Sequence, residues 1–321
     1  MTPKPQIPEA ETAGVVADAP KGNWVDVYAP LAARPYLRLS RADRPIGTWL
    51  LWLPCLWALA LAGGAGGFTV WDLWLAVSSG VGAFLMRGAG CTWNDVTDRH
   101  IDGSVTRTRS RPIPSGQVSV RQALVWMVVQ AALAAGILFT YNWLAVALGV
   151  ASLALVAIYP FAKRFTWWPQ VFLGLAFNWG AILMWAAHSG TVPLASVLLY
   201  AAGIVWTLYY DTIYAHQDRE DDALIGVKST ARLFGDRSRA WLWGFFVLTV
   251  LLFGGAVVAA HERLAPLVVG LLGVWAMGWH IVGQMLRLDL DDPASCLVAF
   301  RANRNAGLIP VPFLAVAGWL G

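Results

Sequence analysis

The sequence predicts an all-α fold: a polytopic membrane bundle of nine transmembrane helices with two Asp-rich motifs at cytoplasmic helix ends. Three observations predict it. Hydrophobic residues make up 58% of the 321 and charged residues only 13%, with a mean hydropathy of +0.56, too apolar for an ordinary soluble domain. Apolar stretches of about 17 to 22 residues recur, long enough to cross a bilayer core of ~30 Å. Two of these stretches run directly into acidic segments, around 94–102 and 211–222.

In chain order, residues 1–23 are rich in Pro, Ala, Glu and Thr without apolar period and read as a disordered tail. No apolar signal region is found there. The first Arg is Arg34, after Glu9, Glu11, Asp18 and Asp26, which is unlike a mitochondrial presequence. From Trp24 to Arg44 aromatic and basic residues mix, as in an interfacial helix, and Asp43-Arg44-Pro45 punctuates the entry to the membrane. Residues 1–35 are thus tail and interfacial segment, and 36–321 the membrane domain. The expected spans are 46–63, 72–93, 121–140, 142–160, 168–187, 193–213, 239–260, 265–286 and 305–320.

Short joins alternate with long charged ones. Of the 23 Lys and Arg, Arg263 alone falls on the short-loop side and the other 22 on the side of the N-terminus. The positive-inside rule makes that side cytoplasmic and the C-terminus external, in a bacterial cell inner membrane. Trp71, Trp143, Trp167, Trp168 and Trp241 near span ends suit an interfacial belt, and Gly80, Gly82, Gly270, Gly273 and Gly278 suit close helix packing. Asn178, Gln130, His280 and Gln284 within spans suit interhelical hydrogen bonds, and His188 reads as a loop residue.

Composition also excludes classes. Cys55, Cys91 and Cys296 are odd in number and lack metal-site spacing, so neither a disulfide framework nor a zinc site is implied. The pI near 9.1 comes from bases at membrane boundaries, where anionic lipid explains them, and not from a nucleic-acid groove.

The first acidic segment begins in an apolar helix and turns polar at Asn94. Asn94, Asp98 and Asp102 recur at i, i+4 and i+8, putting an amide and two carboxylates on one helix face. Such a stripe suits Mg²⁺, which takes a few carboxylates and completes its octahedron with water and phosphate oxygens. Arg107, Arg109 and Arg111 follow, as bases would beside a metal-bridged diphosphate at a membrane surface. Arg87, seven residues before Asn94, lies on nearly the same face, deeper in the membrane.

The second acidic segment closes the sixth span. Asp211, Tyr214, Asp218 and Asp222 are spaced for one face of a continuous helix, and Asp221, Lys228 and Arg232 follow. Solvated loop charge is the ordinary use of either run. Their duplication, each at the end of an apolar helix and each followed by bases, instead suggests two metal ions bridging one diphosphate.

Asn94-Asp95-x-x-Asp98-Arg99-x-x-Asp102, with Tyr210-Asp211-x-x-Tyr214-Ala215-x-x-Asp218-x-x-x-Asp222 and Lys228-Ser229-Thr230, resembles the two signature loops of the UbiA family of intramembrane aromatic prenyltransferases. Arg44-Pro45-Ile46-Gly47, Met86-Arg87-x-Ala89-Gly90-Cys91, Tyr159-Pro160-Phe161-x-Lys163-Arg164 and Pro169-Gln170 are similar to the subgroup acting on 4-hydroxybenzoate. The similarity runs from residue 36 to 315.

The resemblance implies a nine-helix bundle open laterally to lipid, with helices two and six facing across the active site. It implies Mg²⁺, a polyprenyl diphosphate donor and a 4-hydroxybenzoate acceptor, prenylated ortho to its hydroxyl in an early step of ubiquinone synthesis. Asn94, Asp98 and Asp102 would hold one Mg²⁺ and Asp218 and Asp222 the other, with Asp95 and Asp211 as supporting or orienting groups. Lys163, Arg164, Lys228 and one or more of Arg107, Arg109 and Arg111 are candidates for the diphosphate, with topology or lipid contact as their alternative use.

Arg87 is costly inside a membrane helix and needs a partner. That partner is either the carboxylate of the aromatic acid, held bidentately, or a motif acid such as Asp98. Tyr214 and Asp211 would orient or deprotonate the acceptor hydroxyl. Another acceptor, such as a naphthoate, a homogentisate-like ring or a haem or chlorophyll precursor, is the nearest alternative. A secondary transporter is a distant one, since both acid clusters fall on one membrane side.

Overall fold

The computed structural model describes residues 19–20, 22–63, 68–104 and 108–321. The tail read over residues 1–23 lies almost wholly outside the described residues, as do Arg107 and the side chain of Asp221. Among the described residues the chain is all-helical, 81% helix with no strand.

The helices are α1 (Trp24–Tyr28), α2 (Arg34–Leu39), α3 (Ile46–Ala62), α4 (Val70–Ser104), α5 (Val120–Leu138), α6 (Trp143–Ile158), α7 (Ala162–Phe165), α8 (Pro169–Asn178) and α9 (Gly180–Ser189). After them come α10 (Leu194–Ala215), α11 (Arg219–Ile225), α12 (Thr230–Phe234), α13 (Ser238–Ala260), α14 (Leu264–Arg287), α15 (Pro293–Leu308) and α16 (Pro310–Leu320). Local chemistry sets several ends. The Asn142 side chain caps α6 by accepting from Ala145 N at 3.0 Å, and Asp292 caps α15 through Ala294 N and Ser295 N. Gly190 ends α9 in the left-handed conformation, φ 70°, which costs a residue without Cβ little.

Six segments are long and apolar enough to cross a membrane: Val120–Leu138, Trp143–Phe165, Pro169–Ser189, Leu194–Asp218, Thr230–Ala260 and Leu264–Arg287. Nine were expected. Of the other three, α3 is apolar but only 17 residues long. Helix α4 passes from apolar to polar along its 35 residues. The expected span 305–320 straddles the break between α15 and α16, where Pro310 lacks the N–H for the next helical bond and its ring crowds the carbonyl four residues back. The long charged joins also contain more helix than expected: α4 continues to Ser104, and α15 begins at Pro293.

By packing the chain forms two compact units, one of Met1–Pro45 with Phe84–Ala134 and one of Ile46–Ala83 with Ala135–Gly321. In the first, the stretch before the first span folds back on itself. Arg38 Nη2 donates to Asp26 Oδ1 at 2.8 Å and Trp24 Nε1 to the Ala42 carbonyl at 2.8 Å. Ser40 Oγ donates to Gln130 Oε1 at 2.9 Å and accepts from Trp126 Nε1 at 2.8 Å, so the in-span glutamine finds the polar partner expected of it.

The second unit is built on buried aromatics. Trp57 lies 5.1 Å from Trp206 and 4.9 Å from Phe253 between ring centroids, and its Nε1 donates to the Gly307 carbonyl at 2.7 Å. These two tryptophans are core and not belt. Trp71, Trp143, Trp167 and Trp241 are exposed, as interfacial residues are. Asn178 Nδ2 donates to Thr207 Oγ1 at 2.8 Å, and Asn303 Nδ2 to Gln284 Oε1 at 3.5 Å. His188 is not a loop residue: it ends α9, and its Nδ1 lies 2.5 Å from Asp72 Oδ1. The half-buried histidine and the buried carboxylate satisfy one another there.

Small residues decide the closest approaches. A methyl on Gly270 would fall 2.6 Å from Val257 and one on Gly273 2.6 Å from Phe313, whereas Gly82 faces nothing within 4 Å and serves no close contact among the described residues. The tightest such site against backbone is Gly318 of α16, where an added Cβ would stand 2.3 Å from the Ala60 carbonyl oxygen of α3. Gly318→Ala must push two backbones apart. It is expected to cost on the order of 1–3 kcal/mol, read as a lower unfolding temperature in detergent. Gly82→Ala is the matched control, expected to leave that temperature unchanged or slightly raised.

Candidate active site

The first acidic cluster belongs to one unbroken helix. Because α4 stays helical through Asp102, Asn94, Asp98 and Asp102 share a face as their spacing predicts. At 35 residues α4 is ~52 Å long, well beyond a ~30 Å hydrocarbon core, so its acidic end stands clear of the apolar stretch. Asp98 is nonetheless only 1% exposed and Asp102 5%, while Asn94 is half-buried. Arg87, on the same helix and half-buried, is seven residues and ~10 Å of rise from Asn94.

The neighbouring Asp95 is held by cations of the chain's own. It is fully buried, and its Oδ1 accepts from Arg41 Nη2 at 2.6 Å and from Arg111 Nη1 at 3.3 Å. Arg111 Nη1 also reaches Asp102 Oδ2 at 2.8 Å. One guanidinium therefore bridges two acids of the motif, whereas Arg109 is exposed. Asp95 is thus engaged in ion pairs, where the resemblance implied a supporting ligand or an orienting group. Arg111, one of three arginines of which one or more were candidates for the diphosphate, pairs with these acids. Burial raises the Asp102 pKa; the Arg111 charge works against this, and the charges of Asp95 and Asp98 add to it.

The second cluster departs from its expected geometry. α10 ends at Ala215, and a 3₁₀ turn, His216–Asp218, intervenes before α11. At three residues per turn, that segment breaks the α register, so Asp211, Asp218 and Asp222 do not share one continuous helix face. Asp218 instead stands at the N-cap of α11, with Asp222 one turn further on.

The Tyr214 ring lies 4.6 Å from Phe300, which is 5.9 Å from Tyr210, and Tyr210 is 5.0 Å from Trp206. This aromatic wall had no signal in the sequence, because Phe300 comes from α15. Tyr210 also lies within hydrogen-bonding distance of Thr207 Oγ1, at 3.0 Å.

The basic residues beside this cluster are built onto the connections. Lys228 Nζ reaches the Phe165 carbonyl at 3.5 Å and lies 6.0 Å from the centre of the Trp167 ring. Lys228 N donates to the Lys163 carbonyl at 3.3 Å, which ties the two basic segments together, and Arg164 lies 5.1 Å from the Phe161 ring centre. Arg232 ties down the loop after α11 through the carbonyls of Asp222 and Val227.

Among the described residues no three His, Cys, Asp or Glu side chains form a ready-made metal cage. The donor set still fits Mg²⁺, which uses one or two carboxylates and takes its other ligands from water and substrate phosphate. The fit has an electrostatic side: Asp98 and Asp102 are buried so close together that each repels the other's charge, and a cation relieves that.

A family model described as the UbiA prenyltransferase family matches residues 51–306. The chain belongs to this family. Among UbiA relatives, 4-hydroxybenzoate polyprenyltransferase, mitochondrial, of Mus musculus is 48% identical over 88% of this chain and 74% of its own length. The Homo sapiens protein of the same name is 47% identical over the same shares. The fold agrees with solved UbiA homologues. One from Aeropyrum pernix K1 superposes with a TM-score of 0.64 at 24% identity, covering 84% of this chain and 97% of that one. One from Archaeoglobus fulgidus, bound to GPP and Mg²⁺, gives a TM-score of 0.64 at 21% identity, covering 88% and 98%.

The relatives overturn the expected bacterial cell inner membrane, since those at 47–48% identity are mitochondrial proteins. Hydropathy and charge bias do not separate the two settings, because both present a chain with the same kind of hydrocarbon core.

Proposed function

We propose that this protein transfers a polyprenyl group from polyprenyl diphosphate to the ring carbon ortho to the hydroxyl of 4-hydroxybenzoate, an early step of ubiquinone synthesis. The carrying observation is the buried carboxylate stripe of Asp98 and Asp102 on the unbroken α4, in a chain 48% identical to an enzyme of that name. In this reading residues 36–321 form the prenyltransferase domain. Its nine spans are the six long helices together with α3, the apolar part of α4, and the 305–320 segment.

Asn94, Asp98 and Asp102 hold one Mg²⁺ and Asp218 and Asp222 a second. When bound, Mg²⁺ supplies Lewis-acid stabilisation of the leaving diphosphate. The remaining chemistry falls to side chains. Lys163, Arg164, Lys228 and Arg109 take the outer phosphate oxygens, with Arg107 as a further base, as ammonium and guanidinium groups do. Arg111 holds Asp95 and Asp102 in place.

As the prenyl C1–O bond lengthens, positive charge spreads over the allylic carbons, and the faces of Tyr214 and Phe300 are suited to shelter it. Arg87 forks onto the carboxylate of 4-hydroxybenzoate and so sets which ring carbon meets C1. Asp211 and Tyr214 orient the phenol hydroxyl, and loss of the ring proton restores aromaticity.

Membranes holding the protein, supplied with geranyl diphosphate, Mg²⁺ and 4-hydroxybenzoate, are expected to yield a prenylated acid, and EDTA is expected to abolish it. Product from a naphthoate or another phenol but none from 4-hydroxybenzoate would retain prenyl transfer and overturn the acceptor. Absence of product with every acceptor would overturn the reading.

A further inference from the structure

Arg41 is the one non-glycine residue among those described with a positive φ, 56°. That left-handed backbone is strained for a residue with a Cβ, and it persists only where the surroundings demand it. The side chain shows what demands it here. Arg41 is 7% exposed; its Nη1 donates to the Arg38 carbonyl at 3.1 Å and its Nη2 to Asp95 Oδ1 at 2.6 Å. Asp95 is the most buried acid of the first motif and has Arg111 as its second partner. Without the two bases, Asp95 would be a buried charge of the same sign as Asp98 and Asp102, on the same helix.

We propose that Arg41 is a positioning residue for the first acidic motif. It neutralises Asp95, turning that acid into an anchor that fixes the rotation of the α4 end on which Asp98 and Asp102 lie. Arg111 is shared with Asp102, so it does not replace Arg41. The Trp24–Arg44 stretch is then a brace for the motif as well as an interfacial segment, with Arg38–Asp26 and Trp24–Ala42 holding the turn on which Arg41 sits. The inference rests on the Mg²⁺-dependent reading above only for its second readout.

The test uses the full chain in detergent, as Arg41→Gln, Asp95→Asn and the double variant. The first readout is thermal unfolding in EDTA, which requires neither metal nor activity. Arg41→Gln should lower the unfolding temperature by leaving Asp95 underneutralised, and adding Asp95→Asn should restore most of it. The second is the Mg²⁺ concentration for half-maximal transfer, which Arg41→Gln should raise about tenfold, as loss of a group that orients a metal ligand does. Arg41→Lys, which keeps the charge, should recover part of this shift.

Failure of Asp95→Asn to rescue the unfolding temperature would overturn the pairing, whatever the enzyme's reaction. Unfolding changes with an unaltered Mg²⁺ dependence would reduce Arg41 to a structural residue and overturn the positioning role. If no transfer occurs in the unsubstituted protein, the functional reading fails while the unfolding arm still decides the pairing.

Discussion

Alanine at Asp98 or at Asp218 is expected to lower prenyl transfer by at least about a thousandfold, equivalent to ~4 kcal/mol of transition-state stabilisation, without loss of folded protein. The fold should survive for an electrostatic reason. Burial raises the Asp102 pKa and the charge of Asp98 adds to that, so removing Asp98 lessens a repulsion at this helix end. Asp218 lies on the short 3₁₀ turn and is half-buried, and alanine keeps the backbone there. The measurement is product formed per unit of monodisperse protein in a saturating Mg²⁺ assay. Full turnover in either variant would remove the two-metal arrangement; turnover restored to Asp98→Ala by high Mg²⁺ would limit Asp98 to metal affinity.

Arg87→Ala is expected to raise the KM for 4-hydroxybenzoate by about 10- to 100-fold, since a charge-assisted contact to a carboxylate contributes roughly 1.5–3 kcal/mol. The KM for geranyl diphosphate should change little. Arg87→Lys keeps the charge but loses the fork, and should fall between. The pattern across substrates separates the two partners open to this residue. If Arg87 serves the motif acids instead, its loss raises the requirement for Mg²⁺ and diphosphate and spares the acid. Competition by benzoates with and without the carboxylate reads the same distinction in binding.

The residues differ in how far they were legible. The stripe Asn94, Asp98, Asp102 was readable because it depends only on 3.6-residue periodicity, and α4 keeps that period to its end. The same rule failed for Asp211, Asp218 and Asp222, because a 3₁₀ turn replaces the α register at His216–Asp218. The expected last span is divided at Pro310 into two helices, although the proline itself was visible. His188 was taken for a loop residue because its partner, Asp72, is 116 positions away.

The sequence by itself determined that the chain lives in a membrane, that it is helical, and that carboxylates line the end of its second apolar stretch. These are properties of composition and local period, and every residue involved acts within a few turns of its neighbours. Only the tertiary structure decided which cation of the protein's own meets Asp95. Its partners are Arg41, 54 residues away, and Arg111. In a low-dielectric interior a buried charge must be matched by whatever long-range packing brings beside it, and helix periodicity carries no information about that partner.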